Sequence, residues 1–321
     1  MILCSMLPQT TYKIWGIKNV TFKAFYQFEY ISRHKGWEND SESIYKLNQM
    51  ICSFNGINEI KFISTKSKIK IDQGVYDEQI FNRIHNFPGL KIEGDRIAIS
   101  YTLDTHNLTN YSDLKYGLEG LRNIYRNYRF FRKNRLDSVY SVIFPWNKYM
   151  ETREKLFWKN NYIYSHDLKQ KSIHFIEANL RYFPEIIQMK KQHKTLLINP
   201  TINMKLEDFI FFVEKHPSFF THWTNTCIFI KHHRTSDSKF PQEFKVGKNH
   251  FYTILSELTF LLPTEIIYYS IDNIKVLTTT SSLVALNRNI VAQKPLRTVD
   301  EKNYNLMLKQ LEKFREFEWL S

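Results

Sequence analysis

The chain has 321 residues, 43% of them hydrophobic and 16% aromatic, which is enough apolar side chain to core two domains and too much for a disordered protein. Its net charge of +13 asks for an anionic partner and narrows the classes to nucleic acid, anionic lipid and anionic glycan. Three cysteines, Cys4, Cys52 and Cys227, without metal-ligand spacing argue against a disulfide framework and fit a reducing cytoplasm. No apolar run reaches the roughly 18 residues of a membrane span, and the N-terminus lacks a basic-then-apolar signal pattern.

In chain order, apolar and β-branched runs predict strands at Val20 to Tyr30, Glu59 to Ile63, Ile97 to Tyr101 and Ser138 to Phe144. Between the last two, Leu114, Leu118, Leu121, Tyr125 and Tyr128 recur at helical spacing and predict a helix over Asp113 to Arg132. A further helix is expected at Tyr149 to Lys159 and a strand at Lys171 to Ile176, which would put Glu177 at a strand's carboxyl end. The basic, polar stretch Met189 to Lys194 reads as a linker, dividing the chain into domains 1–190 and 191–321.

The second half repeats the alternation. Thr195 to Ile198, Thr226 to Lys231 and Lys275 to Thr278 read as strands. Leu206 to Val213, Leu262 to Tyr269 and a start at Ser282 to Leu286 read as helices, and Tyr304, Met307, Leu308, Leu311 and Phe314 give an amphipathic C-terminal one. An α/β protein of two Rossmann-like domains facing a cleft is the expected architecture.

Two motifs carry chemistry. Cys227-Ile228-Phe229-Ile230-Lys231-His232-His233-Arg234 runs an apolar strand into titratable side chains at the end where doubly wound sheets bind ligands. Lys275-Val276-Leu277 runs into the hydroxyl residues Thr278 to Ser282 and a new apolar run, the signature of a capped helix whose N-terminus suits a phosphate. Taken singly, a strand-end histidine or a pair of serines is ordinary structure. Their order, after a segment holding Glu177, resembles the acidic, Lys-x-His-Pro and Ser-Ser motifs of bacterial sialyltransferases of glycosyltransferase families 38 and 52. The resemblance covers roughly residues 135 to 290. Arg234 stands where that family has proline, and Ala178 and Asn179 where it has a second acid and glycine.

The resemblance implies a GT-B fold and an inverting, metal-independent transferase that moves sialic acid from CMP-sialic acid to a bacterial surface glycan, with no cofactor. It implies Glu177 as base and His233 with Ser281 and Ser282 on the donor phosphate, with Thr280 in the same motif. Pro263-Thr264-Glu265 matches a proline-containing family segment, so Glu265 either meets the nucleotide or simply favours the dipole of a helix begun by Pro263. By topology, Asn199 also falls on the cleft side. Lys231 and Arg234 either attract donor phosphate and carboxylate or are solvated charges. The acceptor is expected to be lipid-linked, placing the protein in the cytoplasm at the inner face of an anionic membrane. Specific nucleic-acid binding is not expected, because the basic clusters at Lys66 to Lys70, Arg122 to Arg135, Lys190 to Lys194 and Lys231 to Arg234 are scattered and no binding motif accompanies them. A catalytically impaired glycan or nucleotide binder of the same fold, and a basic nucleic-acid-binding protein, remain the alternatives.

Overall fold

The computed structural model describes residues 1–29, 41–64, 67–77, 80, 90–93, 96–99, 138–143, 160–234, 236–278, 290–293 and 318–320. The helices expected at Asp113 to Arg132, Tyr149 to Lys159, Ser282 to Leu286 and around Tyr304 to Phe314 lie outside them, as do Thr280, Ser281 and Ser282. Two compact units result, residues 1–171 and 172–321. Each is an α/β layer built on a parallel sheet.

The first sheet holds β1 (Ile2–Ser5), β2 (Ala24–Phe28), β3 (Glu59–Ile63), β5 (Gly74–Asp77), β7 (Arg96–Ile99), β8 (Ser138–Ile143) and β9 (Asn160–Tyr164) in the order β3-β2-β1-β5-β7-β8-β9. Every neighbouring pair in it is parallel. β4 (Ile69–Ile71) and β6 (Leu90–Ile92) pair separately. The helices α1 (Pro8–Thr11) and α2 (Ser41–Phe54) follow β1 and β2. On α2, Ile44, Leu47 and Ile51 recur at helical spacing and are all buried, so one stripe of the helix supplies the core.

The second sheet holds β10 (Thr195–Asn199), β11 (Cys227–Ile230), β12 (Glu243–Val246), β13 (Asn249–Thr253), β14 (Ile274–Thr278), β15 (Ile290–Gln293) and β16 (Glu318–Leu320) in the order β12-β13-β11-β10-β14-β15-β16. All its pairs are parallel except the edge hairpin β12–β13. In both sheets the chain winds outward from the first strand in one direction, then returns to its other side and winds the opposite way. That is the doubly wound, Rossmann-like topology, with a switch point between β1 and β5 in one unit and between β10 and β14 in the other.

Alternation sorts the second sheet's side chains. Leu196, Ile198, Ile228, Ile230 and Leu277 pack with Phe209, Phe212 and Phe220 from α5 (Leu206–Lys215) and α6 (Pro217–Thr221) into one core cluster. On that face Phe209, Phe244 and Phe251 form edge-to-face and stacked ring pairs 5.2 to 6.0 Å apart. The opposite face takes Asn199 and Lys231 toward α7 (Glu257–Leu261) and α8 (Thr264–Ser270).

Three expectations are corrected. Lys171 to Ile176 is not a strand but the middle of α3 (Ser165–Asn179), where Phe175 and Ile176 are buried and Glu177 is exposed. The run is apolar at only some of its positions and is flanked by good helix formers, so the 3.6-residue period wins over the strand reading. Met189 to Lys194 is not wholly a linker: Met189 and Lys190 end α4 (Pro184–Lys190), and only the tight turn at 191–194 separates that helix from β10. The division between units falls at Lys171 and Ser172 within α3, not at 190, so Glu177 belongs to the second unit and not to the first. Among the described residues no helix is long and apolar enough to cross a membrane.

Candidate functional site

The site grows from the carboxyl ends of β10, β11 and β14. Ile198 is in register with Ile230 and Asn199 with Thr278, and the backbone N–H of Lys231 donates to the Ile198 carbonyl at 2.9 Å. The pairing therefore sets Asn199, Lys231 and Thr278 on adjacent strands at one edge, beside the switch point. Thr278 is buried, Asn199 half-buried.

Lys231 is the most consequential of the three. It is 5% exposed, its ammonium sits 5.5 Å from the Phe260 ring centroid, and burial pulls its pKa down to about 8, with the charge of Arg234 acting in the same direction. Glu265, in the first turn of α8, pulls the other way. Burial penalises the charged amine more than Glu265 compensates, so an anion brought to it gains more than at an exposed lysine. Glu265 also stands beside Tyr269, whose hydroxyl is held neutral by burial and by that same carboxylate.

Asn199 donates through Nδ2 toward Thr264 Oγ1 at 3.5 Å, at the outer limit of a hydrogen bond, and its buried Oδ1 has no partner. Pro263, expected as the first helical residue, is instead the residue before α8, with φ −52° and ψ 131°, and its carbonyl accepts from the Ile266 N–H at 3.0 Å. The segment still delivers Glu265 to the first turn, so its place next to Lys231 follows from the Pro-Thr-Glu order.

Strand alternation separates the two histidines. His232 continues the face of Ile228 and Ile230: it is 6% exposed and meets the Phe240 ring edge-on at 4.4 Å. Neither of its ring nitrogens has a hydrogen-bond partner, and burial, followed by the Lys231 charge, lowers its pKa to about 4, so it is neutral at physiological pH. His233 is exposed, and its carbonyl accepts from the Ser236 N–H at 2.8 Å.

The loops after β10 and β11 are tied together. Asn203, in the left-handed region at φ 61°, receives the Asp237 N–H on Oδ1 at 2.9 Å while its own N–H donates to Ser236 Oγ at 3.0 Å. Ser238 Oγ donates to the Met204 carbonyl at 2.6 Å. Asparagine tolerates that backbone region because its short amide bonds locally. The buried carboxylate of Glu185 on α4 accepts the Ser256 N–H at 3.0 Å and the Ser256 hydroxyl, holding the residue that precedes α7.

The structure thus brings together Asn199, Lys231 and Glu265, places His233 on the adjoining loop, and leaves Glu177 on an exposed helical face instead of a strand end. Thr280, Ser281 and Ser282 follow Thr278 directly in sequence and lie outside the described residues. Thr264, Phe260 and His232 were not singled out by sequence; extending the alternation from Ile228 and Ile230 marks His232 as inward-facing. Among the described residues no three His, Cys, Asp or Glu side chains gather as a metal-binding group. No family model, no curated protein and no solved structure matches this chain.

Proposed function

We propose that the protein is a glycosyltransferase of GT-B type that binds CMP-sialic acid at the carboxyl edge of the second sheet and passes sialic acid to a bacterial surface glycan with inversion. The observation that carries the nucleotide part is the buried Lys231, flanked by Asn199 and Glu265 at the switch point of a doubly wound sheet. The choice of CMP-sialic acid rests on the resemblance of the motifs around Lys231, Glu265 and the hydroxyl run Thr278 to Ser282.

Transfer breaks the bond from the anomeric carbon to the phosphate oxygen and forms one to an acceptor hydroxyl, whose proton passes to a base. CMP leaves with the bonding pair. Lys231 stabilises the charge on the departing phosphate from a low-dielectric position, where a fixed cation is worth most. The resemblance adds His233, Thr280, Ser281 and Ser282 to the phosphate and Glu265 to the nucleoside. It also names Glu177 as base, but an exposed helix face supplies neither the burial nor the strand-end position that motivated that role.

A second reading, donor binding without transfer, draws support from that same exposure of Glu177. One donor screen separates the two. Calorimetry with CMP, and hydrolysis assays with CMP-sialic acid, CMP-Kdo and several UDP-sugars, should show CMP binding and slow hydrolysis of CMP-sialic acid alone. CMP binding without hydrolysis or transfer would favour the binder; absence of CMP binding at millimolar concentration would remove both.

A further inference from the structure

Among the described residues the two edges of the second sheet differ in charge. Among the described residues at the carboxyl edge, the exposed or half-buried acids Glu207, Asp208, Asp237, Glu257 and Glu265 stand against Lys205, Arg234 and Lys239. At the amino edge the relation reverses. Lys190 and Lys191 close α4, Lys194 lies on the turn into β10, Lys215 ends α5, and Lys248 lies on the turn into β13, against Glu214 and Asp272. Lys275, on the same edge, is already paired with Glu318.

These lysines are held on one surface by bonds between turns. Gln192 Oε1 accepts the Cys227 N–H at 2.8 Å, Thr195 N–H donates to the Asn273 carbonyl at 3.1 Å, and Asn273 Nδ2 donates to the His193 carbonyl at 3.4 Å. Lys194 donates to the His222 carbonyl while lying 5.0 Å over the Trp223 ring. Cys227 pairs with His250, which brings the β12–β13 turn and Lys248 to the same edge. Helix dipoles account for Lys190 and Lys215, since cations favour helix C-termini, but not for Lys194 or Lys248 on turns.

We infer that this amino edge is a docking surface for the anionic headgroups of a phospholipid bilayer. The inference stands on charge placement and does not depend on the proposed reaction. Among the described residues the edge carries lysines and no arginine. Lysine is a strongly hydrated point charge that gains from a diffuse negative surface, whereas arginine's fork is the tool for phosphate-by-phosphate recognition of nucleic acid. Trp223, 7% exposed and covered by Lys194, offers no face on which bases could stack. Docking here leaves the opposite edge, with Lys231 and Asn199, turned away from the headgroups.

The test is flotation of the full chain with neutral phosphatidylcholine vesicles and with vesicles containing about a third phosphatidylglycerol, at low and moderate salt. The wild type should float with the anionic vesicles only and detach as salt rises. Replacing Lys190, Lys191, Lys215 and Lys248 by Glu should abolish flotation, each lysine lost weakening binding by about fivefold. The control, Lys205→Glu with Lys239→Glu at the carboxyl edge, should weaken it less per charge, with circular dichroism confirming that both variants fold. Equal loss per charge in control and rim variants would show that net charge acts and not this edge. Failure of the wild type to float, or tighter rim-dependent binding to random oligonucleotides than to vesicles at equal salt, would also overturn the assignment.

Discussion

At the carboxyl ends of β1 and β2, most buried polar side chains bond one another, although Asn48 Oδ1 has no partner. Ser5 Oγ accepts from Thr11 Oγ1 at 2.9 Å, Gln27 Nε2 donates to the Met6 carbonyl at 2.9 Å, and Asn48 Nδ2 of α2 donates to Gln27 Oε1. At the matching ends of β10 and β11, in a sheet wound the same way, Asn199 Oδ1 and both nitrogens of His232 have no partner and Lys231 carries a buried charge. An unsatisfied buried group costs about 1–3 kcal/mol, and a buried charge more. The same topology therefore has two outcomes: buried polar groups mostly paired with one another in the first unit, and more of them left short of partners in the second, where the proposed ligand would supply partners.

The largest effect that sharpens this contrast is expected in the first unit. Gln27→Leu removes the centre of the Ser5–Gln27–Asn48 region, stranding the Met6 carbonyl and Asn48, and should destabilise the protein by about 3–4 kcal/mol without changing CMP affinity at low temperature. Thermal unfolding beside calorimetry reads both. A variant that kept its stability and lost CMP would invert the comparison.

Lys231→Met should do the opposite, weakening CMP binding by about 10- to 100-fold while raising the unfolding temperature. Its pH dependence has a definite sign. The folded amine has a pKa of about 8 against 10.5 when unperturbed, so between those values the unfolded chain binds more protons and stability rises with pH. The penalty is fully present below pH 8. The wild type should thus trail the methionine variant by up to about 3 kcal/mol at neutral pH and close the gap between pH 8 and 10.5. His232 acts in the acid range with the same sign: its folded pKa of about 4 lies below 6.5, so the wild type should lose stability relative to His232→Phe as pH falls through that window. Parallel urea titrations across pH decide both; a constant gap would show that neither group titrates as its burial demands.

Glu185→Ala should cost about 2 kcal/mol, because the half-buried Ser256 N–H and hydroxyl lose a charged acceptor. Denaturant midpoints measure it, and no change would mean that Ser256 finds water instead. The smallest effect is expected at Glu177. On an exposed face Glu177→Gln should move stability by less than about 0.5 kcal/mol and leave transfer within about twofold. Loss of transfer with CMP affinity intact would restore its role as base.

Much of the second unit was readable from the chain. The strands at 195–199, 227–230 and 274–278 and the helices at 206–215 and 264–270 fall where short apolar runs and the period of 3.6 place them. Position within the sheet then brings Asn199 and Lys231 to one edge. Glu177 was misplaced because a six-residue run with apolar residues near both ends fits strand and helix alike, and only the neighbouring turns of α3 break the tie. The division at Lys171 and Ser172 was unreadable for a related reason: composition marks where a chain is polar, not where contacts cease to cross, and here the boundary runs through a helix.

Sequence alone determined the α/β class, the central strands of the second sheet and the basic balance, because these depend on local periodicity and composition. Tertiary structure decided which polar groups are satisfied. Gln27 and Lys231 are both polar residues at the end of a parallel strand, and nothing in their neighbours' identity says that one meets a carbonyl and an amide while the other meets a phenyl ring and a carboxylate. That difference arises from residues far away in the chain, brought together by packing, and it separates a group bonded within the fold from one left with a buried charge.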